Sequence, residues 1–347
     1  MRLRRLRLFA GHLWNIWIWQ IVPHLAHMLS PPRNPIQAVF SWPEQPPELS
    51  PRVALFVHFD GRGNVRPYVL GYLEALRAAG ISVVFVSNTG RLKPEAIESL
   101  KPLCAGILVR RNVGYDFAAM REGLSHFGLP RANTEMLVIA NDSVYGPLRP
   151  LNELLNKIDF EKADFWGATE SWQSRYHLQS YFLVAGPALL AHPAWSSFWE
   201  SVMSVPSKRW VITRYEVGIT QWMIRQGIRC AAVFRYHDLV HDIDPTLLVR
   251  DDKIDPQEID PVLIMRRRHA RRIRNFYVGR TALNPTSDLW RQLLLAGFPF
   301  IKRELLRDNP TGVPDVMEWR EVVAQTSGAD IATIERDLQL VVRNTAP

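Results

Sequence analysis

From residue 52 onward, short apolar runs alternate with stretches whose apolar positions recur every three or four residues. Residues 52–59 (RVALFVHF) form a continuous, β-branched apolar run and predict a buried strand. Residues 67–79 place Val69, Leu70, Leu73 and Leu76 at helical spacing and stop before Gly80, which predicts a helix. The same reading predicts a strand at 81–87 (ISVVFVS), a short helix at 93–100 and a strand at 106–109. A helix at 117–127 and a fourth strand at 136–140 (MLVIA) follow. Strand–helix–strand order with short connections predicts an α/β fold: a Rossmann-type parallel sheet with helices on both faces. Ligands of such sheets sit beyond the carboxyl ends of the strands. The residues just after each strand are therefore the first candidates for chemistry.

Past residue 160 the pattern is less regular. An aromatic stretch leads to a strand at 180–184, helices at 195–203 and 217–226, and a mostly helical tail from 286. Upstream, residues 30–51 are dense in proline and read as an extended linker. The resulting division is a membrane-associating helix at 1–30, a Pro-rich linker at 31–51, a catalytic domain at 52–245 and a basic, helical C-terminal region at 246–347.

Composition sharpens the two ends. The chain has 347 residues, 12 Trp and a formal charge of +8, a balance that favours an anionic partner. Arg2, Arg4, Arg5 and Arg7 precede an uncharged stretch at 8–29 that carries Trp14, Trp17 and Trp19. His12, Asn15, Gln20, Pro23, His24 and His27 interrupt it, so an in-plane interfacial helix fits best, with a spanning anchor or a soluble helix as alternatives. No small-x-small cleavage site follows, and the arginines keep the catalytic part on the cytoplasmic side, peripheral to a membrane surface. Cys104 and Cys230 alone exclude a disulfide framework and a Cys-based zinc site. Arg266, Arg267, Arg268, Arg271, Arg272 and Arg274 form the densest basic run, read as a solvated face or as a contact with anionic lipid or a lipid-linked pyrophosphate. No recognisable nucleic-acid module accompanies it, so no nucleic-acid partner is expected.

Three strand-end loops carry candidate chemistry. The first, His58-Phe59-Asp60-Gly61-Arg62-Gly63, has a Gly-x-Gly, but Arg66 stands at the third glycine position and the next strand ends in Ser87-Asn88 rather than an acid. That argues against a nicotinamide cofactor and leaves either a turn or a polar lip with His58 and Asp60 near a nucleotide. The second loop runs Arg110-Arg111-Asn112-Val113-Gly114-Tyr115-Asp116. Gly114 permits close backbone approach, the following helix N-terminus suits phosphate, and Asp116 is either a ligand contact or a helix cap. A cap leaves the adjacent arginines unexplained. The third, Asn141-Asp142-Ser143, follows five apolar residues and reads as a ligand loop or a self-bonded turn.

These loops resemble the nucleotide-binding half of GT-A-type glycosyltransferases. More closely, RRNVGYDFAAMREGL, NDSVYGP, DFWGATES, HLQSYFLV, RYEVGITQWMIRQG and NPTSDLWRQLLLAGFPFIKRELLRDNP, in that order over residues 52–310, resemble the rhamnan synthesis protein F family of bacterial polysaccharide biosynthesis. The resemblance implies a GT-A-like fold and transfer of a sugar, typically L-rhamnose from dTDP-rhamnose, onto a lipid-linked glycan. It implies nucleotide contacts from His58, Asp60, Arg111, Asn112, Gly114, Asp116, Asn141, Asp142 and Ser143. A divalent cation, Mg²⁺ or Mn²⁺, would rest on Asp142, the one acid of its loop, with His237 completing the site; His237 and His241 also have the i, i+4 spacing of a zinc helix, without the glutamate such a helix carries. Asp164, Trp166, His177, Gln179 and Ser180 would line the sugars, although Trp166 and Tyr181 read equally well as core. For an inverting reaction the base would be Glu216, at a helix start where the helix dipole also favours an acid, with Glu170 as second candidate. A non-catalytic scaffold subunit of a glycan-assembly complex is the alternative.

Overall fold

The computed structural model describes residues 36–241, 243, 260–279 and 281–345; the expected helix at 1–30 and residues 246–259 lie outside the described residues. In chain order the strands are β1 (Ala38–Trp42), β2 (Arg52–His58), β3 (Ser82–Ser87), β4 (Gly106–Arg110), β5 (Met136–Asn141), β6 (Val144–Tyr145), β7 (Phe165–Ser171), β8 (His177–Leu178), β9 (Phe182–Ala185), β10 (Cys230–Phe234) and β11 (Ile301–Lys302). The main sheet runs β1-β4-β3-β2-β5-β9-β7-β10, with β8 attached to β7. Strands β2 to β5 are parallel, as expected. Strand β9 is antiparallel to both neighbours, so β7 and β10 point the same way as β5.

Part of the predicted linker is a strand. β1 pairs antiparallel with β4 and closes that edge of the sheet. Its cluster of flanking prolines marks an edge rather than an interior strand, because proline cannot donate to a ladder.

Alternate residues of β2 feed two cores. Ala54 and Phe56 join one cluster, Val53, Leu55 and Val57 the other, as a period of two on a doubly covered sheet requires. On the first face pack helices α1 (Pro67–Ala78) and α2 (Pro94–Leu100); on the second packs α3 (Tyr115–His126), followed by α4 (Pro193–Ser201) and α5 (Val217–Arg225). The C-terminal helices α6 (Pro261–Tyr277), α7 (Arg303–Asp308), α8 (Trp319–Thr326) and α9 (Ala332–Thr345) cover the first face. Phe298, Phe300, Leu305, Val323 and Ile334 share a cluster with Phe56 and Phe182, so the C-terminal region completes the core of the sheet's first face.

After β2 the chain moves one way to build β3 and β4, then returns to the other side for β5. The reversal between β2 and β5 opens a crevice at their carboxyl ends.

Candidate active site

His58 ends β2, fully buried, with Nδ1 3.1 Å from Ser87 Oγ. Burial, opposed by Asp60 and aided by Arg303 and Arg66, lowers its pKa from 6.5 to about 4, so the imidazole is neutral at physiological pH. Asp60 holds its own loop. Its carboxylate accepts the N–H groups of Arg62 (2.8 Å) and Asn64 (3.2 Å) and Arg66 Nε (3.2 Å). Burial pushes its pKa up, but these donors outweigh it and hold the carboxyl below its ordinary value. Gly63 has φ of 72°, and a Cβ there would stand 2.4 Å from the Arg91 carbonyl oxygen. That glycine serves a backbone contact.

The second loop separates its two arginines. Arg110, the last residue of β4, is fully buried and forks onto Glu122 of α3 through Nε (2.8 Å) and Nη2 (2.9 Å), with Asn88 Oδ1 and the Val113 carbonyl as further acceptors. It holds the loop from inside. Arg111 and Asn112 are exposed, and Arg111 N–H bonds the Gln37 carbonyl beside β1 (3.0 Å). Gly114 (φ 82°) and Tyr115 (φ 55°) adopt consecutive left-handed conformations that turn the chain into α3. Gly114 is the N-cap and receives no side-chain bond, so Asp116 is not a cap. Its Oδ2 instead accepts Asn141 Nδ2 at 3.2 Å. Burial, then the charges of Asp142 and Glu216, raise the Asp116 pKa to about 6, against Lys302 and Lys208.

The third loop receives the C-terminal region. β11 pairs antiparallel with β6, setting Lys302 opposite Val144. Lys302 Nζ then donates to Ser143 Oγ (2.9 Å) and stands 4.8 Å from the Tyr181 ring centroid. Arg303 Nη1 donates to the Asp142 carbonyl (2.9 Å) and lies 3.5 Å from Asp142 Oδ2; its guanidinium rests on Tyr68 and comes within 3.8 Å of Asp337. Asp337 in turn accepts Tyr145 OH at 2.7 Å. Among the described residues, Arg303 Nε is buried without a hydrogen-bond partner. Burial lowers the Lys302 pKa, and Glu216, Glu304, Asp116 and Asp142 pull it back. Burial also raises the Asp142 pKa to about 6, although Arg303 and the Phe59 N–H work against it. Neither Lys302 nor Arg303 was among the expected contacts.

Glu216 reaches this crevice, but not from a helix start. Its helix begins at Lys208–Val211, continues through a π turn at Ile212–Glu216 and only then becomes α5. A first-turn dipole role is therefore excluded. Glu216 Oε1 accepts Ser180 Oγ at 3.1 Å, and the carboxylate is charge-coupled to Asp116 and Lys302. The structure thus gathers His58, Asp116, Asn141, Asp142, Ser143, Ser180, Glu216, Lys302 and Arg303 at one end of the sheet.

Other expected residues lie elsewhere or are engaged. Asp164 immediately precedes β7, at the opposite end of the sheet, where it pairs with Arg229 (2.8 Å). Trp166 is buried core, and its Nε1 bonds the Ala163 carbonyl (2.9 Å). Seven strand residues at ~3.3 Å each put some 20 Å between that end and the crevice, so Asp164 and Trp166 do not line it. Glu170 accepts the Tyr236 N–H (3.0 Å), Gln179 accepts Thr169 Oγ1 (2.7 Å), and His177 Nδ1 meets the Arg175 carbonyl (2.8 Å).

A divalent ion fits this donor set poorly. Mg²⁺ and Mn²⁺ require several converging oxygens. Asp142 has one carboxylate, already facing Arg303 and the Phe59 N–H, and Lys302 occupies Ser143. His237 is exposed on Tyr236–Val240 against His241 (3.0 Å), three strand spacings (about 14 Å) along the sheet from β5. Among the described residues no group of three His, Cys, Asp or Glu could hold a metal. Two side-chain cations stand where the ion was expected.

An α/β sheet whose switch-point crevice joins two cations and half-buried carboxylates is suited to binding a phosphorylated small molecule. The model of rhamnan synthesis protein F matches residues 83–266, and the chain belongs to that family. Virulence protein VirA of Vibrio anguillarum is 30% identical over 234 residues, 63% of this chain and 68% of its own length. The y4gN protein of Sinorhizobium fredii is 26% identical over 196 residues, covering 55% and 51% respectively. The solved structure of S. aureus TarS 1–349 overlaps 85% of this chain and 92% of its own at 13% identity and a TM-score of 0.33, which establishes no shared fold.

Proposed function

We propose that the protein is a glycosyltransferase that takes a sugar from a nucleotide diphosphate donor, dTDP-L-rhamnose by analogy with the family, and adds it to a lipid-linked glycan. The observation that carries this reading is the convergence of Lys302 and Arg303 on Asp142 and Ser143 at the switch point. The donor diphosphate lies between loops 112–116 and 141–143. Lys302 Nζ and the partly exposed Arg303 guanidinium bind its oxygens and stabilise the charge that grows as the sugar departs, the task otherwise given to a divalent ion.

Glu216 takes the proton of the attacking acceptor hydroxyl. The new bond forms from that oxygen to the anomeric carbon, while the bond to the diphosphate oxygen breaks and its electron pair leaves with the nucleotide. A single displacement of this kind inverts the anomeric centre. Ser180 orients the Glu216 carboxylate through their 3.1 Å hydrogen bond. The enzyme works on the cytoplasmic face of the bacterial inner membrane. The arginine- and tryptophan-rich residues 2–19 support that placement, as do exposed Arg268 and Arg271 on α6; among the described residues no helix is long and apolar enough to cross a membrane.

Calorimetric titration of the full chain with dTDP-rhamnose and other nucleotide sugars, with and without EDTA, tests this. Binding that survives EDTA and weakens at least tenfold in Lys302→Met or Arg303→Met is expected. Absence of binding to every nucleotide sugar would refute it and favour a scaffold subunit.

A further inference from the structure

On the far side of the Glu216 helix lies a second cleft, of about 770 Å³, within the range of small-ligand sites. One wall is a stripe of that helix from Trp210 to Arg225, exposing every third or fourth residue. Phe198 of α4 faces it, and the β7–β8 hairpin closes the end with Ser174 and Arg175. No aspartate or glutamate lines the cleft, whereas Arg175, Arg214 and Arg225 do. All three are exposed, and none forms an ion pair among the described residues; Arg214 lies over the Trp210 ring at 5.2 Å. Unneutralised guanidiniums around aromatic walls suit a ligand with both ring faces and negative charge.

Two backbone features shape this cleft. Ser174 adopts φ of 66°, left-handed for a residue with a side chain, and so points the hairpin tip with its neighbour Arg175 into the cleft. The π turn at Ile212–Glu216 inserts a wide turn into the wall, a device frequent at functional sites. Through it Thr213, Arg214 and Val217 face the cleft while Glu216 faces the catalytic crevice. Ile212, Ile224 and Trp172, on the same helix and hairpin, are 40, 43 and 53% exposed.

We infer that this cleft is the acceptor's anion subsite, holding the phosphate-bearing saccharide head of a lipid-linked glycan; this rests on the glycosyltransfer reading above. The arginines take the phosphate oxygens, half-buried Trp222 a sugar face, and Ile212, Ile224 and Trp172 the start of the lipid. The cleft and Glu216 are separated by one helix, about 10 Å in diameter, so the bound anion and the reacting hydroxyl belong to different units of one acceptor.

The test uses the full chain and the variant Arg175→Gln/Arg214→Gln/Arg225→Gln, with its melting curve checked against the parent. Two calorimetric probes are titrated: a farnesyl diphosphate-linked monosaccharide and the octyl glycoside of the same sugar. Expected is binding of the diphosphate probe at least tenfold tighter than the glycoside, lost at least tenfold in the variant, with nucleotide-sugar affinity unchanged in both proteins. Weakening of the probe by added salt in the parent protein checks the same claim without any substitution. Equal binding of both probes, or of the diphosphate probe to parent and variant, overturns the inference. So does arginine-dependent binding to anionic phospholipid vesicles that the probe fails to displace, because the cleft would then read a membrane surface. Arginine-dependent probe binding without any nucleotide-sugar binding would keep the anion site and defeat the glycosyltransfer reading instead.

Discussion

Replacing Asp142 with asparagine should stabilise the protein at neutral pH while disabling it. Burial raises this carboxyl from 3.8 to about 6 in the folded chain. That gap of about two units corresponds to about 3 kcal/mol between the two protonation states. The folded state binds the proton more tightly than the unfolded state. The group's contribution is therefore full below about pH 4, falls as pH rises through about 6, and is flat beyond. Asparagine imitates the protonated carboxyl: its oxygen still accepts the Phe59 N–H, and Arg303 keeps the Asp142 carbonyl and Asp337.

The stability difference, variant minus parent, should be near zero at about pH 4 and approach about 3 kcal/mol at about pH 8. For a 347-residue chain that is about 4 °C in Tm. Urea denaturation of both proteins across this range measures it. A parent more stable than the variant at the alkaline end, or a difference that ignores pH, would refute the reasoning. Turnover should fall ~10²-fold or more, because the Asp142 carboxylate 3.5 Å from Arg303 Nη1 is lost and the guanidinium is left on the carbonyl of residue 142 and Asp337 alone, loosening its aim at the diphosphate.

Other substitutions probe separate parts of the account. Glu216→Gln should lower kcat by about 10²–10⁴-fold with nucleotide-sugar binding intact by calorimetry, as expected of a lost general base. Glu122→Gln strands the buried Arg110 guanidinium and should destabilise by about 3–5 kcal/mol in urea titrations, whatever happens to activity. Gly114→Ala puts a Cβ 2.6 Å from Ser204 Cα and 2.7 Å from Ala118 Cβ in a left-handed backbone; a lowered Tm and weakened donor binding should result, and an unchanged Tm would show the turn to be softer than described.

Much of this architecture is written locally. The apolar runs ending at His58, Ser87, Arg110 and Asn141 announce parallel strands, and their order places the crevice between β2 and β5. What local pattern cannot show is which distant segment closes the crevice. Lys302 meets Ser143 across 159 positions through a ladder of two residues per strand, too short to leave a period. Arg110 and Arg111 look alike in sequence, and only the pleat decides that one enters the core and the other faces water. Asp164 lies away from the crevice although an acid beside an aromatic suggests sugar binding, and Trp166 takes the core place that its sequence equally allows. The run FWGATES is in fact a strand covered on both faces, without the alternation that marks a half-exposed one.

The central claim is sugar transfer from a nucleotide donor, catalysed from the β2–β5 crevice. Its most direct test is release of nucleoside diphosphate by the purified full chain, given a panel of nucleotide sugars and bacterial lipid extract as acceptor. The account predicts release from at least one donor, insensitive to EDTA and lowered about 10²-fold or more in Glu216→Gln and in Arg303→Met. No release from any donor, or release that both variants sustain at the parent rate, would contradict it.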